Sequence, residues 1–281
     1  TKKPDVTSVD YGFDLEYGSI EDGSNDQSLE AYVNMPLGAN TAVRVSAYDL
    51  QDGGWIDNEL STKTFTNSGY TIDNSAFAED DYNELNKSGY RIRLASEIMG
   101  QNLDLSMLDQ TSEFGGSWET DEAVGPRSNS RFNEEYFDDD FSQISLSLSG
   151  DLNDNVEYIF TASSFERDVE YTYDYSEYVE YYNYDGPTYT CDYYDYYYYY
   201  NISGCQDPRM SYTQIDNHER DSYEVRIQSK GDSGFQWILG AFSESSKRDY
   251  EIAYLWPGSN PGNLSWNVPN GQWWNLDNTR E

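Results

Sequence analysis

Val9-Asp10-Tyr11-Gly12-Phe13-Asp14-Leu15-Glu16-Tyr17 is the stretch that decides the fold. Val9, Tyr11, Phe13, Leu15 and Tyr17 share one parity, and Asp10, Gly12, Asp14 and Glu16 share the other. Successive side chains of a strand point to opposite faces, so this segment reads as a strand with one apolar and one charged face. The pattern recurs outward along the chain. Leu29, Ala31, Val33 and Met35 repeat it, as do Tyr90, Ile92 and Leu94 against Arg91 and Arg93. Ile144, Leu146 and Leu148 oppose Gln143, Ser145 and Ser147, and Tyr223, Val225 and Ile227 oppose Glu224, Arg226 and Gln228. Between these segments the connections alternate in length. Gly38-Ala39-Asn40, Gly100-Gln101, Asn153-Asp154-Asn155 and Gly231-Asp232-Ser233 read as tight turns, whereas the others are long, acidic and aromatic. Short turns at one end and long loops at the other are the layout of an antiparallel, up-and-down transmembrane β-barrel.

Composition supports that reading. The 281 residues carry a formal charge of -35, and only 37% are hydrophobic. The mean hydropathy is -0.86, a poor supply of core for a water-soluble domain of this size. Low hydrophobicity with high charge is also the signature of disorder. Against disorder, 16% of the residues are aromatic and the apolar ones keep a period of two. A barrel needs apolar residues only on its lipid face and fills its lumen and loops with polar ones. So acidic a chain repels nucleic acid, whose binding rests on Lys and Arg. No apolar run reaches the roughly 20 residues of a transmembrane helix, a length that barrel strands do not need.

The alternation places nine strands near residues 8–18, 27–37, 40–51, 88–98, 101–111, 140–151, 155–168, 219–229 and 234–248. The outer loops are then 19–26, 52–87, 112–139 and 169–218, with another opening at 249. Bacterial barrels close with an even number of antiparallel strands, so nine strands ending in a loop read as part of a larger barrel. Asp14, Glu16, Arg44, Arg91, Arg93, Glu97, Glu224 and Arg226 fall on the lumen-facing parity, where they would pair across strands or meet a body filling the barrel.

Cys191 and Cys205 share one outer loop. In an oxidising compartment they would form a disulfide, stabilising by roughly 3 kcal/mol in the chain-entropy model. In a reducing one they would be free thiols. Between them, Tyr193, Tyr194, Tyr196 and Tyr198 belong to a tyrosine run without parallel in the chain. Such a run offers stacking faces and hydroxyls to a solute, or lines a hairpin in which the rings pack on one another. Trp118, Trp273 and Trp274 sit in outer loops as binding platforms or as loop packing. Asp138-Asp139-Asp140 and Glu79-Asp80-Asp81 are charge runs without EF-hand spacing and name no metal ligand. The single histidine, His218, lies near no nucleophile elbow. Nothing calls for a cofactor or a catalytic role.

Several stretches resemble TonB-dependent outer-membrane receptors. Thr1-Lys2-Lys3-Pro4 is similar to the exit from their plug domain, and Tyr11–Tyr17 to the first barrel strand. Asn34-Met35-Pro36-Leu37 and Ala42-Val43-Arg44-Val45-Ser46-Ala47-Tyr48 look like the second and third strands. Asp52-Gly53-Gly54-Trp55-Ile56-Asp57-Asn58 resembles the glycine-rich step into a long outer loop, and it is the most specific of these matches. Tyr158–Arg167 and Glu224–Phe242 look like later barrel strands. The resemblance implies a plug-to-barrel linker over 1–7 and an incomplete barrel domain over 8–281, against the 22 strands of such transporters.

It also implies a setting, the outer membrane of a Gram-negative bacterium with its lipid around the barrel. The activity implied is uptake of a scarce solute, energised by a TonB complex acting on a plug absent from this chain. Acidic, aromatic loops favour a neutral oligosaccharide over an anionic ferric chelate. The rival reading is a secreted, acidic, β-rich calcium-binding adhesion or structural protein, which repeated calcium motifs would support.

Overall fold

The computed structural model describes residues 2–66, 68–181, 191, 204–231, 234–256 and 272–280. In chain order the strands begin with β1 (Asp10–Ser19), β2 (Asn25–Gly38), β3 (Thr41–Asp52), β4 (Asp57–Asn58), β5 (Thr62–Thr64) and β6 (Thr71–Asp73). They continue with β7 (Leu85–Ile98), β8 (Gln101–Phe114), β9 (Ser128–Asn129), β10 (Tyr136–Asn153) and β11 (Val156–Asp174). A short helix, α1 (Ser176–Tyr181), precedes β12 (Ser211–Ser229), β13 (Ile238–Leu255) and β14 (Gln272–Arg280). Ten of these strands form one sheet in the order β1-β2-β3-β7-β8-β10-β11-β12-β13-β14, each antiparallel to its neighbour. Among the described residues β1 and β14 each pair on one side only, so the sheet is an open meander.

The sheet has ten strands rather than the nine read from the alternation. Trp273 and Trp274, expected in an outer loop, lie in β14, whose ladder with β13 runs from Arg248–Arg280 to Leu255–Gln272. Adjacent tryptophans followed by Asn275, Asp277 and Asn278 break the two-residue hydrophobic period, and that hid the strand. The other strands run further outward than expected, β11 to Asp174 and β12 from Ser211. β12 ends at Ser229 and β13 begins at Ile238, and of the turn expected at Gly231-Asp232-Ser233 the last two residues lie outside the described residues. The β7–β8 hairpin does turn on two residues, Met99 and Gly100, with φ of 53° and 76°. Two successive positive φ values mark a turn that matches the twist of the flanking strands.

One face of the sheet is apolar in a band. Tyr11, Val33, Val45, Ile92, Met107 and Ile144 share one register row from β1 to β10. Further along, Phe160, Val225 and Ala241 continue the band two rows lower, with Tyr158, Ile227 and Leu239 beneath them. A band that shifts register across the sheet suits strands tilted against a flat apolar layer. Above it the same face turns acidic, with Asp109, Glu113, Asp138, Asp140, Glu166, Asp168, Glu170 and Glu219. This change explains why the sequence pattern faded before the strands ended. Every arginine of the sheet (Arg44, Arg91, Arg93, Arg167, Arg220, Arg226, Arg248 and Arg280) lies on the opposite face.

The hydrophobic core is not in this wall. Phe65, Ile72, Phe132, Val179, Met210 and Trp256 form a buried cluster among the outer connections. Of the buried apolar residues described, only Ala42 and Ala253 belong to the ten-stranded sheet.

Candidate functional site at the outer mouth of the sheet

The described outer connections are folded, tied by backbone hydrogen bonds and by buried asparagine side chains. Asn58 donates to the carbonyls of Phe77 (2.8 Å) and Arg131 (3.2 Å) and accepts from the Arg131 amide at 2.7 Å. Asn74 accepts from the Ser61 amide at 2.7 Å, and Asn83 accepts from the amides of Trp55 and Ile56, both at 2.8 Å. Each is buried, so each satisfies backbone groups that irregular chain leaves open. The short ladders β4–β9 and β5–β6 complete this layer. Its entry explains Asp52–Asn58. A Cβ on Gly54 would fall 1.6 Å from the Asp81 carbonyl oxygen, and one on Gly53 would fall 2.6 Å from that of Ser24. Only glycine permits backbone to approach that closely.

Glu135 joins this layer to the wall. Its buried carboxylate accepts from the amides of Asp174 (3.0 Å) and Ser117 (3.2 Å) and lies 3.6 Å from Arg131 Nε. The Tyr82 hydroxyl sits 3.3 Å from Glu135 Oε2 and accepts from Asn129 Nδ2 at 2.5 Å. Burial, then the Glu135 charge, push the Tyr82 hydroxyl above the ordinary tyrosine range. Burial opposes the charge on Arg131, but Glu135 and Tyr82 outweigh it and hold the guanidinium above its ordinary pKa. A buried charge held by a partner and several amides fixes geometry more than it stabilises.

Beside Glu135 a recess of about 440 Å³ opens, lined by Phe114, Trp118, Phe137, Tyr173 and Tyr175 with Glu119 and Asp174. Its aromatic wall continues across the strands on the arginine-bearing face. Ring centroids are 6.1 Å apart for Trp118–Phe114, 5.4 Å for Phe114–Phe137 and 5.6 Å for Phe137–Tyr171. They are 5.9 Å apart for Tyr171–Tyr212 and 5.1 Å for Tyr212–Tyr254. Gln214 accepts from both Tyr171 (2.5 Å) and Tyr212 (2.7 Å). Next down the wall, Arg167 forks onto Asp139, both bonds at 2.7 Å. Arg248 pairs with Asp216 in the same way, its Nε bond at 2.8 Å. The acidic residues outside, at the height of Asp138 and Glu170, put this row above any apolar layer. There burial, reinforced by Glu113, Asp140 and Glu170, pushes the Asp138 carboxyl above its ordinary range.

Further down the same face lies a second recess of about 450 Å³, lined by Asp14, Glu30, Tyr32, Tyr48, Arg44, Arg91 and Arg93 together with Lys2. Arg44 stacks 3.8 Å over the Tyr32 ring, and Arg93 forks onto Asp104 at 2.8 and 2.6 Å. Arg91 donates to Ser106 at 3.2 Å, and Arg226 bonds Glu224 on its own strand at 2.6 Å.

Of the residues singled out from sequence, Trp118 lines the outer recess and Arg44, Arg91 and Arg93 the lower one. The backbone of Trp274 pairs with that of Tyr254 in the ladder. Tyr193, Tyr194, Tyr196 and Tyr198 lie outside the described residues. The loop that carries them is closed by a disulfide between Cys191 and Cys205. Asp138-Asp139-Asp140 splits between faces, since Asp139 turns inward to Arg167 while its neighbours face out. Phe114, Phe137, Tyr171, Tyr173, Tyr212 and Tyr254 were missed. Their signal was an aromatic at every second position of Tyr171, Tyr173 and Tyr175, within a stretch taken for loop.

No protein-family model matches the chain, and no curated protein matches it. Among solved structures it is similar to the siderophore receptor PiuA from Acinetobacter baumannii, at 13% identity and a TM-score of 0.56. The match covers 100% of this chain and 38% of that receptor, so the chain spans well under half of its length. At that identity the likeness is one of fold: the open sheet has the form of part of a β-barrel wall.

Proposed function

We propose that the chain forms part of the wall and outer mouth of a TonB-dependent receptor in a Gram-negative outer membrane. The observation that carries this reading is the division of the sheet. Apolar residues band one face, all its arginines occupy the other, and the described parts of the long connections pack together at one end. The apolar band meets lipid, and the opposite face lines a lumen that holds a plug through which a TonB complex acts. The role is capture and transport, with no part in catalysis or nucleic-acid binding.

The solute is a neutral oligosaccharide, favoured by an aromatic mouth whose cations are matched by carboxylates. An anionic ferric chelate is the second reading, favoured by the fold shared with a siderophore receptor. The test is fractionation of the full-length protein from a Gram-negative host. It should sediment with outer membranes and run with heat-modifiable mobility. A monodisperse protein in detergent-free buffer would overturn the reading.

A further inference from the structure

The aromatic row is longer than a single recess needs. Trp118, Phe114, Phe137, Tyr171, Tyr212 and Tyr254 step from one strand to the next at centroid spacings of 5.1–6.1 Å. The step is set by the separation of neighbouring strands, about 4.8 Å. None of the six is fully buried, so each keeps part of its surface accessible, although Tyr254 also packs against the loop core. One register step below Phe137 and Tyr171, about 6.8 Å down the strands, lies Asp139 forked by Arg167, and in the same row, two steps below Tyr212, the buried Asp216 is forked by Arg248. A carboxylate held by a guanidinium keeps lone pairs for hydroxyl donors while its net charge is cancelled. A pyranose ring needs both parts, an apolar surface for its C–H face and acceptors for its hydroxyl rim. Neighbouring sugars in a chain repeat on the scale of this row.

We propose that the row is a binding track for an unbranched, neutral oligosaccharide lying across the strands, one sugar to each aromatic step. The inference deepens the oligosaccharide reading above and rests on it. Trp118, 62% exposed, marks the end where the chain enters.

Calorimetry on the full-length protein in detergent tests this, with α-1,4-, β-1,4- and β-1,3-linked glucose oligomers of two to six units as probes. Affinity for one series should rise roughly five-fold for each added unit and level off near five. Phe137→Ala and Tyr171→Ala should each weaken hexamer binding roughly five-fold, and Tyr171→Phe should restore most of it. Trp118→Ala, at an exposed position where folding is not at stake, should lower affinity for the long oligomers only. Binding that ignores length, or these substitutions, would overturn the track and leave an oligosaccharide receptor standing. If none of the three series binds at millimolar concentration, the track and the oligosaccharide reading both fail. The membrane assignment is judged separately by fractionation.

Discussion

The wall and the outer layer of this protein solve opposite problems with the same residue types. In β1, Tyr11, Phe13 and Leu15 are 77%, 74% and 68% exposed, although they are the residues that would make a core elsewhere. In the outer connections Ile56 and Phe132 are buried, and their amides donate to the side chains of Asn83 and Asp174. The wall satisfies its backbone through ladders and leaves its apolar face for another medium. The outer layer has few ladders and therefore needs side chains to do that work. An exposed apolar band of this extent in water would be an aggregation surface, and in lipid it is the ordinary outside of a barrel.

That contrast predicts separable failures. Phe132→Ala removes a buried ring from the loop cluster and should cost about 3–5 kcal/mol of local stability. Hydrogen exchange should rise in 55–83 and 115–135 while the wall keeps its heat-modifiable migration. Loss of both together would show that the layer and the wall fold as one unit. Leu146→Arg does the reverse. A cation in the apolar band should cost about 2–4 kcal/mol of assembly into vesicles and leave loop protection intact once assembled. Asn58→Ala is milder, since it strands two carbonyls and one amide, for about 1–3 kcal/mol within the outer layer.

The smallest effect belongs to Asp138. Its folded-state pKa is raised, so the ionised form opposes folding at neutral pH, and that penalty fades as pH falls through the raised value and is gone below the unfolded value of 3.8. Asp138→Asn should therefore raise the melting temperature slightly at pH 7 and leave it unchanged at pH 3. An equal effect at both values would place the cause in packing.

How much of this was legible in sequence follows from the same contrast. Wall strands with an apolar period of two, such as 10–19 and 85–98, were readable because the alternation holds along most of their length. The continuation of β11 past Asp168 was hidden because its outward positions become Glu170, Thr172 and Asp174, and a polar strand has no hydrophobic period. β14 was hidden by its paired tryptophans. The arginine face was legible as a parity. The aromatic row was not, because it joins residues from five strands and one loop whose adjacency exists only once the registers are set. The loop core was invisible for a similar reason. Asn58, Asn74 and Asn83 look like ordinary loop residues until each is found holding a distant amide or carbonyl.

The central claim is that the two faces of the sheet meet different media. Its most direct test places a fluorophore on single cysteines in protein assembled in vesicles, with the Cys191–Cys205 disulfide intact. Phe13, Leu146 and Val225 represent the apolar face, and Arg93, Ser145 and Arg226 the opposite one. Brominated lipid tails should quench the first three strongly and the second three weakly, whereas a water-borne quencher should show the reverse order. Equal quenching of both sets by the water-borne reagent, with none from the lipid, would contradict the account.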